Sequence, residues 1–241
     1  MIKIMRSFRL ALLALVRLKM ILLIVGPPFL AVTLLLGVFL YFGSAWVGSL
    51  TSFLSGLSIL QWMQSWNYFH EFMTWTSVIF VILFFFPLAF VTSIFLTSLV
   101  VVPVALPWIL RVDYPHLEKK RGGSIVGSVV NTIVATGVFL FLFVITTPLW
   151  LVPGCQVMVP AALSAWLNKK VFLYDVLQDV ASKEERLQIE KQESLPMYGM
   201  GFLLGLLSYI PLAFLVVPVI SALCYIYYAL EEVSQRRRSH Q

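Results

Sequence analysis

The chain has 241 residues, of which 60% are hydrophobic and 12% are charged, and its mean hydropathy is +0.93. A soluble globular domain carries roughly 45–50% apolar and about 25% charged residues, so the composition excludes that class and predicts an integral membrane protein. The formal net charge of +6 is not gathered in a compact basic domain, which argues against nucleic acid as a partner.

The charged residues fall into four clusters, and Glu71 is the single exception. The clusters occupy 3–19, 111–121, 169–193 and 231–238, and long uncharged runs separate them. Because Lys and Arg translocate poorly, a basic excess beside membrane segments normally stays in the cytoplasm. We therefore expect all four clusters, and both termini, on the cytoplasmic side.

Residues 1–19 are predicted to form a cationic amphipathic helix at the inner membrane surface. Bases and apolar residues can occupy opposite sides of such a helix. These are Lys3, Arg6 and Arg9 against Ile4, Phe8, Leu12 and Leu15. A cleaved signal peptide is the alternative, but its apolar region runs only about 7–15 residues. Here the apolar run continues past Tyr41, which favours a retained anchor.

Two long spans are predicted over 20–110, joined on the far side by 43–71. Met20–Phe42 is long enough to cross, since ~20 apolar residues at about 1.5 Å each cover a ~30 Å hydrocarbon layer. The connection is rich in Gly, Ser and aromatic residues and suits a short interfacial helix. Phe72–Leu110 forms the second span, and its last two prolines predict a break before Arg111. These prolines are Pro103 and Pro107.

The uncharged run 122–168 is predicted to be a hairpin, because charged clusters lie at both of its ends. Its first arm, Gly123–Thr147, is long enough to cross the membrane. Its second arm, Gln156–Trp166, is too short to cross alone and is expected to return from a turn at Val152–Gly154. The residues assigned to this turn region are Pro148, Pro153 and Gly154.

The last uncharged run, 194–230, is predicted to be a re-entrant hairpin. Its 37 residues provide roughly 55 Å of helical path, whereas two full crossings need about 60 Å and a turn. The turn is assigned to Pro211 or Pro218. Non-helical backbone at this depth is tolerated only when it packs in protein or faces a water-filled cavity. Two such hairpins therefore indicate an assembly, a pore, or both.

The polar segment 169–193 is predicted to form a pair of surface helices. Ser182 and Glu185 have the spacing of a capping box, so a new helix should begin there, and Pro196 should end it. The tail 231–241 is read as a solvated end or an anionic-lipid contact. The chain as a whole is thus predicted to be a single all-α membrane domain with two long spans, two Pro-broken hairpins and this helix pair.

The sequence offers no evidence of catalysis, a metal or a cofactor. It contains no nucleotide-binding loop, no zinc-protease motif and no nucleophile elbow. Cys155 and Cys224 lie in apolar stretches, where cysteines are usually small buried hydrophobes. We therefore predict that the protein is not an enzyme.

Cations at the ends of apolar helices are the candidate anion-binding groups. Together with the positive ends of helix dipoles they could form the mouth of an anion pathway. The alternative is that each is simply an anchor on the positive side of the membrane. The candidates are Arg17, Lys19, Arg111, Asn168, Lys169 and Lys170.

Several short motifs occur in an order and spacing found in a known membrane family. They are Val101–Leu110, Ala165-Trp166, Tyr174-Asp175, Met200-Gly201, Ile210-Pro211 and Val217-Pro218-Val219. The chain resembles the CysZ/etoposide-induced-protein-like family over most of its length, most densely over 148–230. Family members have two long spanning helices and two half-penetrating hairpins and assemble as oligomers.

The resemblance implies a homo-oligomer in the bacterial inner membrane that takes up sulfate or a similar small oxyanion. In CysZ the anion site lies near basic residues at the start of the first long helix, which here implies Arg17 and Lys19. The second hypothesis is a non-transporting scaffold that binds lipid or protein partners. The scaffold predicts that Gln in place of Arg17, Lys19 and Lys169 disturbs assembly but leaves anion uptake unchanged.

Overall fold

The computed structural model describes residues 2–15, 21–210 and 213–239. Throughout these residues the regular secondary structure is helical, which confirms the predicted all-α class. The α-helices are α1 (Ile2–Leu15), α2 (Ile21–Ser55), α3 (Phe69–Asp113), α4 (Ile125–Ile145), α5 (Cys155–Val180), α6 (Lys183–Gln192), α7 (Ser194–Leu207) and α8 (Ala213–Ser239). Short 3₁₀ helices cover Ser58–Met63 and Thr147–Leu151.

Within the described residues, four helical segments are long and apolar enough to cross a membrane. They are Gly26–Ser55, Phe69–Asp113, Ile125–Ile145 and Val216–Ser239. Many large apolar side chains on these helices face outward, such as Leu40 and Phe141. Such exposure is expected where lipid tails cover a surface. The chain is therefore a polytopic helical membrane protein.

The chain forms two compact units, of which the smaller is 29–92. Inside this unit α2 and α3 run side by side, and a buried hydrogen bond of 2.9 Å joins the hydroxyls of Thr51 and Ser77. The ring of Phe85 also contacts the rings of Phe39 and Trp46 at 5.3 and 5.4 Å. In lipid the hydrophobic effect does not drive helices together, so hydrogen bonds and close packing of this kind stabilise their association instead.

Both long helices extend further than the sequence predicts. α2 continues beyond Phe42 to Ser55, and the 3₁₀ helix Ser58–Met63 lies in the shorter connection. The predicted break before Arg111 is wrong, because α3 runs without interruption through Pro103 and Pro107. Membrane helices tolerate proline, since neighbouring groups satisfy the freed carbonyls. Here fully buried side chains around the prolines, including those of residues 105, 106 and 109, hold the helix.

The larger unit comprises 1–28 and 93–241 and is built around α5. α4, α7 and α8 all pack against this helix. A Cβ atom on Gly201 of α7 would lie 2.9 Å from Cα of Ala165, and one on Gly205 would lie 2.9 Å from the carbonyl oxygen of Ala161. Glycines at these positions therefore let α7 approach the backbone of α5, which is how small residues act between membrane helices.

The first hairpin turns where the sequence places it. α4 is followed by the 3₁₀ helix that contains Pro148, and then by a turn at Pro153 and Gly154. Gly154 has φ of +91°, a conformation that glycine adopts without a Cβ clash. The return arm does not end at Trp166, however. α5 continues through Asn168 to Val180 as one helix of 26 residues, because its apolar face stays buried along this length.

The second hairpin reverses between α7 and α8, and Pro211 lies outside the described residues. The turn assigned to Pro218 is wrong, since this residue lies inside α8 and its neighbours Val217 and Val219 are buried. Close packing on both sides keeps the helix intact at the proline.

The predicted helix start at Ser182 is confirmed, together with its capping box. The Ser182 hydroxyl accepts a hydrogen bond from the Glu185 backbone N–H, and the Glu185 carboxylate accepts one from the Ser182 N–H. Pro196 does not end this helix. α6 ends at Gln192, and Pro196 lies in the first turn of α7, where a missing N–H costs nothing.

The N-terminal helix α1 packs against α8 through small residues. Ser7, Ala11 and Ala14 are buried, whereas Met5 and Leu12 are exposed. Large apolar side chains thus remain outward on a helix that also carries bases, as on helices that lie at a membrane surface.

Candidate functional site

A polar cavity of about 180 Å³ lies where α4, α5 and α6 meet. Its lining holds three cations and one carboxylate, so an anion is the ligand that its charge favours. The lining residues are Asn131, Lys169, Lys170, Leu173, Tyr174, Arg186 and Glu190. We call this the basic cavity.

Lys169 is the most deeply buried cation of the basic cavity, with 5% of its surface exposed. Its ammonium donates a 2.6 Å hydrogen bond to the Ser194 hydroxyl and lies 4.5 Å from the ring centroid of Tyr198. Burial lowers the pKa of Lys169, and repulsion from Lys170 acts in the same direction while Glu190 opposes it. The Lys169 ammonium, which lines the cavity, is therefore also positioned by two side chains of α7.

Lys170 is the paired cation of the basic cavity. Its ammonium lies 2.6 Å from the Glu190 carboxylate, which ties α5 to α6. The Asn131 side-chain amide donates a 2.7 Å hydrogen bond to the Lys170 carbonyl and so ties α4 to the same turn of α5. Since both partners of the ion pair are partly exposed, its net contribution to stability is small.

Arg186, like Lys169, has no acidic partner among the described residues. Its guanidinium carbon lies 4.5 Å from the ring centroid of Tyr174. Its Nη1 atom is buried and lacks a hydrogen-bond acceptor in the described part of the chain. A Cβ atom on Gly123 would lie 3.0 Å from Nη1, so glycine leaves room for the guanidinium.

An unsatisfied guanidinium donor suits one kind of ligand. Arginine presents its N–H groups in a planar fork that matches the oxygens of carboxylates, phosphates and similar oxyanions. Leaving such a donor buried and unpaired costs about 1–3 kcal/mol or more. The basic cavity therefore supplies a vacant donor, a second cation at Lys169 and an amide at Asn131 within one small volume.

A second ionic cluster holds α6 against α8. Arg237 donates to both carboxylate oxygens of Glu185 at 2.9 and 3.1 Å, and to the carbonyl oxygens of Val180 and Glu118 at 2.8 and 2.6 Å. Lys120 donates to Glu185 at 3.1 Å. Chiefly through the Arg237 hydrogen bonds, the pKa of Glu185 is lowered to about 2. This cluster positions the helix that carries Arg186.

Glu185→Gln is expected to lower stability and to remove part of its pH dependence. The carboxyl pKa falls from 4.5 to about 2 on folding, so its stabilisation is complete above pH ~5 and is lost as the pH falls towards 2. With the carboxylate partly exposed we expect ~2 kcal/mol at neutral pH. Thermal unfolding in detergent at pH 7 and pH 3.5 measures both effects, with Glu118→Gln as the control. Equal loss in the two variants at pH 7 would contradict the assignment.

A buried carboxyl group joins three helices beside the basic cavity. Ser98 of α3 and Ser128 of α4 each donate a hydrogen bond to Asp175 of α5. Asp175 is 3% exposed and has no ion-pair partner in the described ranges. These bonds fix the facing sides of α3, α4 and α5.

The structure brings together only some of the residues that the sequence proposes. Lys169 and Lys170 line the basic cavity, while Asn168 is fully buried and does not line it. Arg111 is exposed near the end of α3 and does not line the cavity. The remaining two candidates, Arg17 and Lys19, lie outside the described residues.

Sequence reasoning missed the other five lining residues of the basic cavity: Asn131, Leu173, Tyr174, Arg186 and Glu190. One signal was available, because Tyr174 follows Lys170 by four residues and so shares its helix face. Nothing local shows that α6 folds back to place Arg186 over that face.

The fold and the composition define a polytopic α-helical membrane protein, and the lining of its basic cavity carries more positive than negative groups. Comparison with protein families refines this class. The chain belongs to the family described as sulfate transporter CysZ/etoposide-induced protein 2.4, whose family model matches residues 7–218. The family membership confirms the resemblance seen in the sequence and supports a transporter-like role. Comparisons with curated proteins and with solved structures found no match.

Proposed function

We propose that the protein carries sulfate, or a tetrahedral oxyanion like it, across the bacterial inner membrane, and that the basic cavity binds this anion. The observation that carries the proposal is the unpaired guanidinium of Arg186 beside Lys169 and Lys170. Family membership supports transport, and the cavity chemistry supports the class of substrate.

The charges of the basic cavity favour a doubly charged anion that can still leave. Glu190 pairs with Lys170, so Arg186 and Lys169 remain to face the ligand. Conduction requires binding that is favourable enough for entry and weak enough for release.

Helix lengths support the re-entrant arrangement. α7 has 14 residues, which gives about 21 Å, whereas a hydrocarbon layer is ~30 Å thick. An arm this short fits a hairpin that enters and returns on one side. With the charged clusters on that side, both termini would be cytoplasmic, and exposed apolar faces such as that of α4 would be covered by lipid or by further copies.

Sulfate flux into proteoliposomes tests the proposal. Purified protein is reconstituted into vesicles, and uptake of radiolabelled sulfate is compared with uptake by protein-free vesicles and by vesicles given labelled chloride. We expect sulfate uptake that unlabelled sulfate suppresses and that chloride does not reproduce. Absence of flux above empty vesicles, in either orientation, would reject transport and would favour the scaffold hypothesis.

A further inference from the structure

Four helices of the larger unit each contain one neutral polar side chain that is at most 2% exposed and lacks a hydrogen-bond partner in the described chain. They are Thr97 of α3, Thr132 of α4, Asn168 of α5 and Ser221 of α8. We call this set the polar seam.

Helix directions place Asn168 and Ser221 opposite each other. Because Gly201 faces Ala165 and Gly205 faces Ala161, α7 is antiparallel to α5, and α8, which reverses after α7, is parallel to α5. The rings of Phe172 and Tyr225 lie 6.2 Å apart across α5 and α8. Asn168 and Ser221 each precede these rings by four residues, which is one helical turn on the same face.

The other two members of the polar seam reach the same part of α5. Thr132 follows Ser128 by four residues and so shares its helix face, and the Ser128 hydroxyl binds Asp175. Thr97 precedes Ser98, whose hydroxyl binds Asp175. The turns of α3, α4 and α8 that carry Thr97, Thr132 and Ser221 therefore meet α5 around the stretch from Asn168 to Asp175, next to the basic cavity.

Such a seam is costly if it is dry. A buried donor or acceptor without a partner costs about 1–3 kcal/mol, and Asn168 leaves both of its amide atoms unpaired. No bulk water surrounds a membrane helix to relieve this cost, so polar groups at depth normally face protein partners or a water-filled path. A molecule that both donates and accepts hydrogen bonds, such as water, would satisfy the polar seam.

We propose that the polar seam is a hydrated passage inside a single protomer that receives the oxyanion from the basic cavity. The inference rests on the proposed function. The two sites are contiguous in the chain, since Lys169 of the cavity follows Asn168 and Asn131 precedes Thr132. Hydroxyl and amide groups donate to oxyanion oxygens without a formal charge, so they hold the anion more weakly than the cavity does and allow it to move on.

Thiol accessibility tests the passage independently of flux. Ser221→Cys is made in a chain whose Cys155 and Cys224 are replaced by alanine, and is reconstituted in liposomes. A small anionic methanethiosulfonate should modify it at least ~10-fold faster than Ala222→Cys, a fully buried neighbour on another face of α8, because reaction needs an accessible thiolate. Excess sulfate should slow the reaction at Ser221→Cys.

A second pair of cysteine variants, on α4, tests whether the result at Ser221 reflects only local packing in α8. Thr132→Cys should react like Ser221→Cys, whereas Ala135→Cys, which is also buried, should stay unmodified. Equal rates within both pairs, or modification that sulfate does not slow, would overturn the passage. Sulfate flux without modification rejects the polar seam and leaves the proposed function standing. Modification that sulfate slows, in protein that shows no flux, supports the polar seam as an anion site and rejects transport.

Discussion

Gly201→Val is expected to prevent the larger unit from packing. A Cβ atom at this position would lie 2.9 Å from Cα of Ala165 and 2.7 Å from the hydroxyl of Tyr225, and valine adds two methyl groups beyond it. Overpacking a tight core costs about 1–3 kcal/mol, and more where the obstacle is backbone that cannot rotate away. The Tyr225 hydroxyl would also be displaced from its 3.0 Å hydrogen bond to the Met197 carbonyl.

The measurement is the yield of monodisperse protein on size exclusion, followed by the thermal midpoint in detergent. Gly199→Val is the matched control, because it makes the same change in the same helix, two residues away, where no atom lies within 4 Å of the added Cβ. We expect Gly199→Val to behave as wild type and Gly201→Val to aggregate or to unfold at a much lower temperature. Similar behaviour of both variants would show that α7 does not depend on this contact with α5.

Features that depend on neighbours in the sequence were predictable. The class follows from composition, and the first hairpin turn follows from Pro153 and Gly154, which end one apolar arm and begin the next. The capping box at Ser182 and Glu185 forms as its spacing indicates, because its two hydrogen bonds close within four residues.

Local rules failed where packing outweighs them. Pro103 and Pro218 read as helix breakers, yet both lie inside helices whose neighbouring side chains are buried. Asn168 reads as part of a polar exit, but α5 continues unbroken past it and the residue is fully buried. Polar residues within apolar runs can be identified from the sequence. Which of them become buried depends on how each helix is rotated about its axis, and the hydrophobic periodicity of these runs does not predict that rotation.

The basic cavity shows the same limit for the site. Lys169 and Lys170 are visible as cations at the end of an apolar arm. Arg186 reaches them only because α6 folds back after Val180, where Arg237 binds the last carbonyl of α5 and the Glu185 carboxylate together. A contact between residues on different helices, set by a side chain more than fifty residues away, leaves no local pattern to read.

Arg186→Gln is expected to reduce sulfate uptake at least ~10-fold, since a hydrogen bond to a charged group is worth about 1.5–3 kcal/mol and each 1.4 kcal/mol is a factor of ten. Glutamine keeps a planar polar head but removes the charge and the fork of donors. The loss should lie in the affinity for sulfate, seen as a raised concentration for half-maximal uptake, because the proposed function makes the cavity that Arg186 lines the place where the anion first binds.

Lys183→Gln is the control, because it removes one positive charge from the same helix at an exposed position that does not line the basic cavity. If uptake depended only on a positive surface that attracts anions, both variants would lose the same amount and added salt would abolish the difference from wild type. A specific site predicts loss in Arg186→Gln alone, at low and high salt. Arg186→Lys should recover only part of the affinity, since an ammonium restores the charge without the fork that matches an oxyanion.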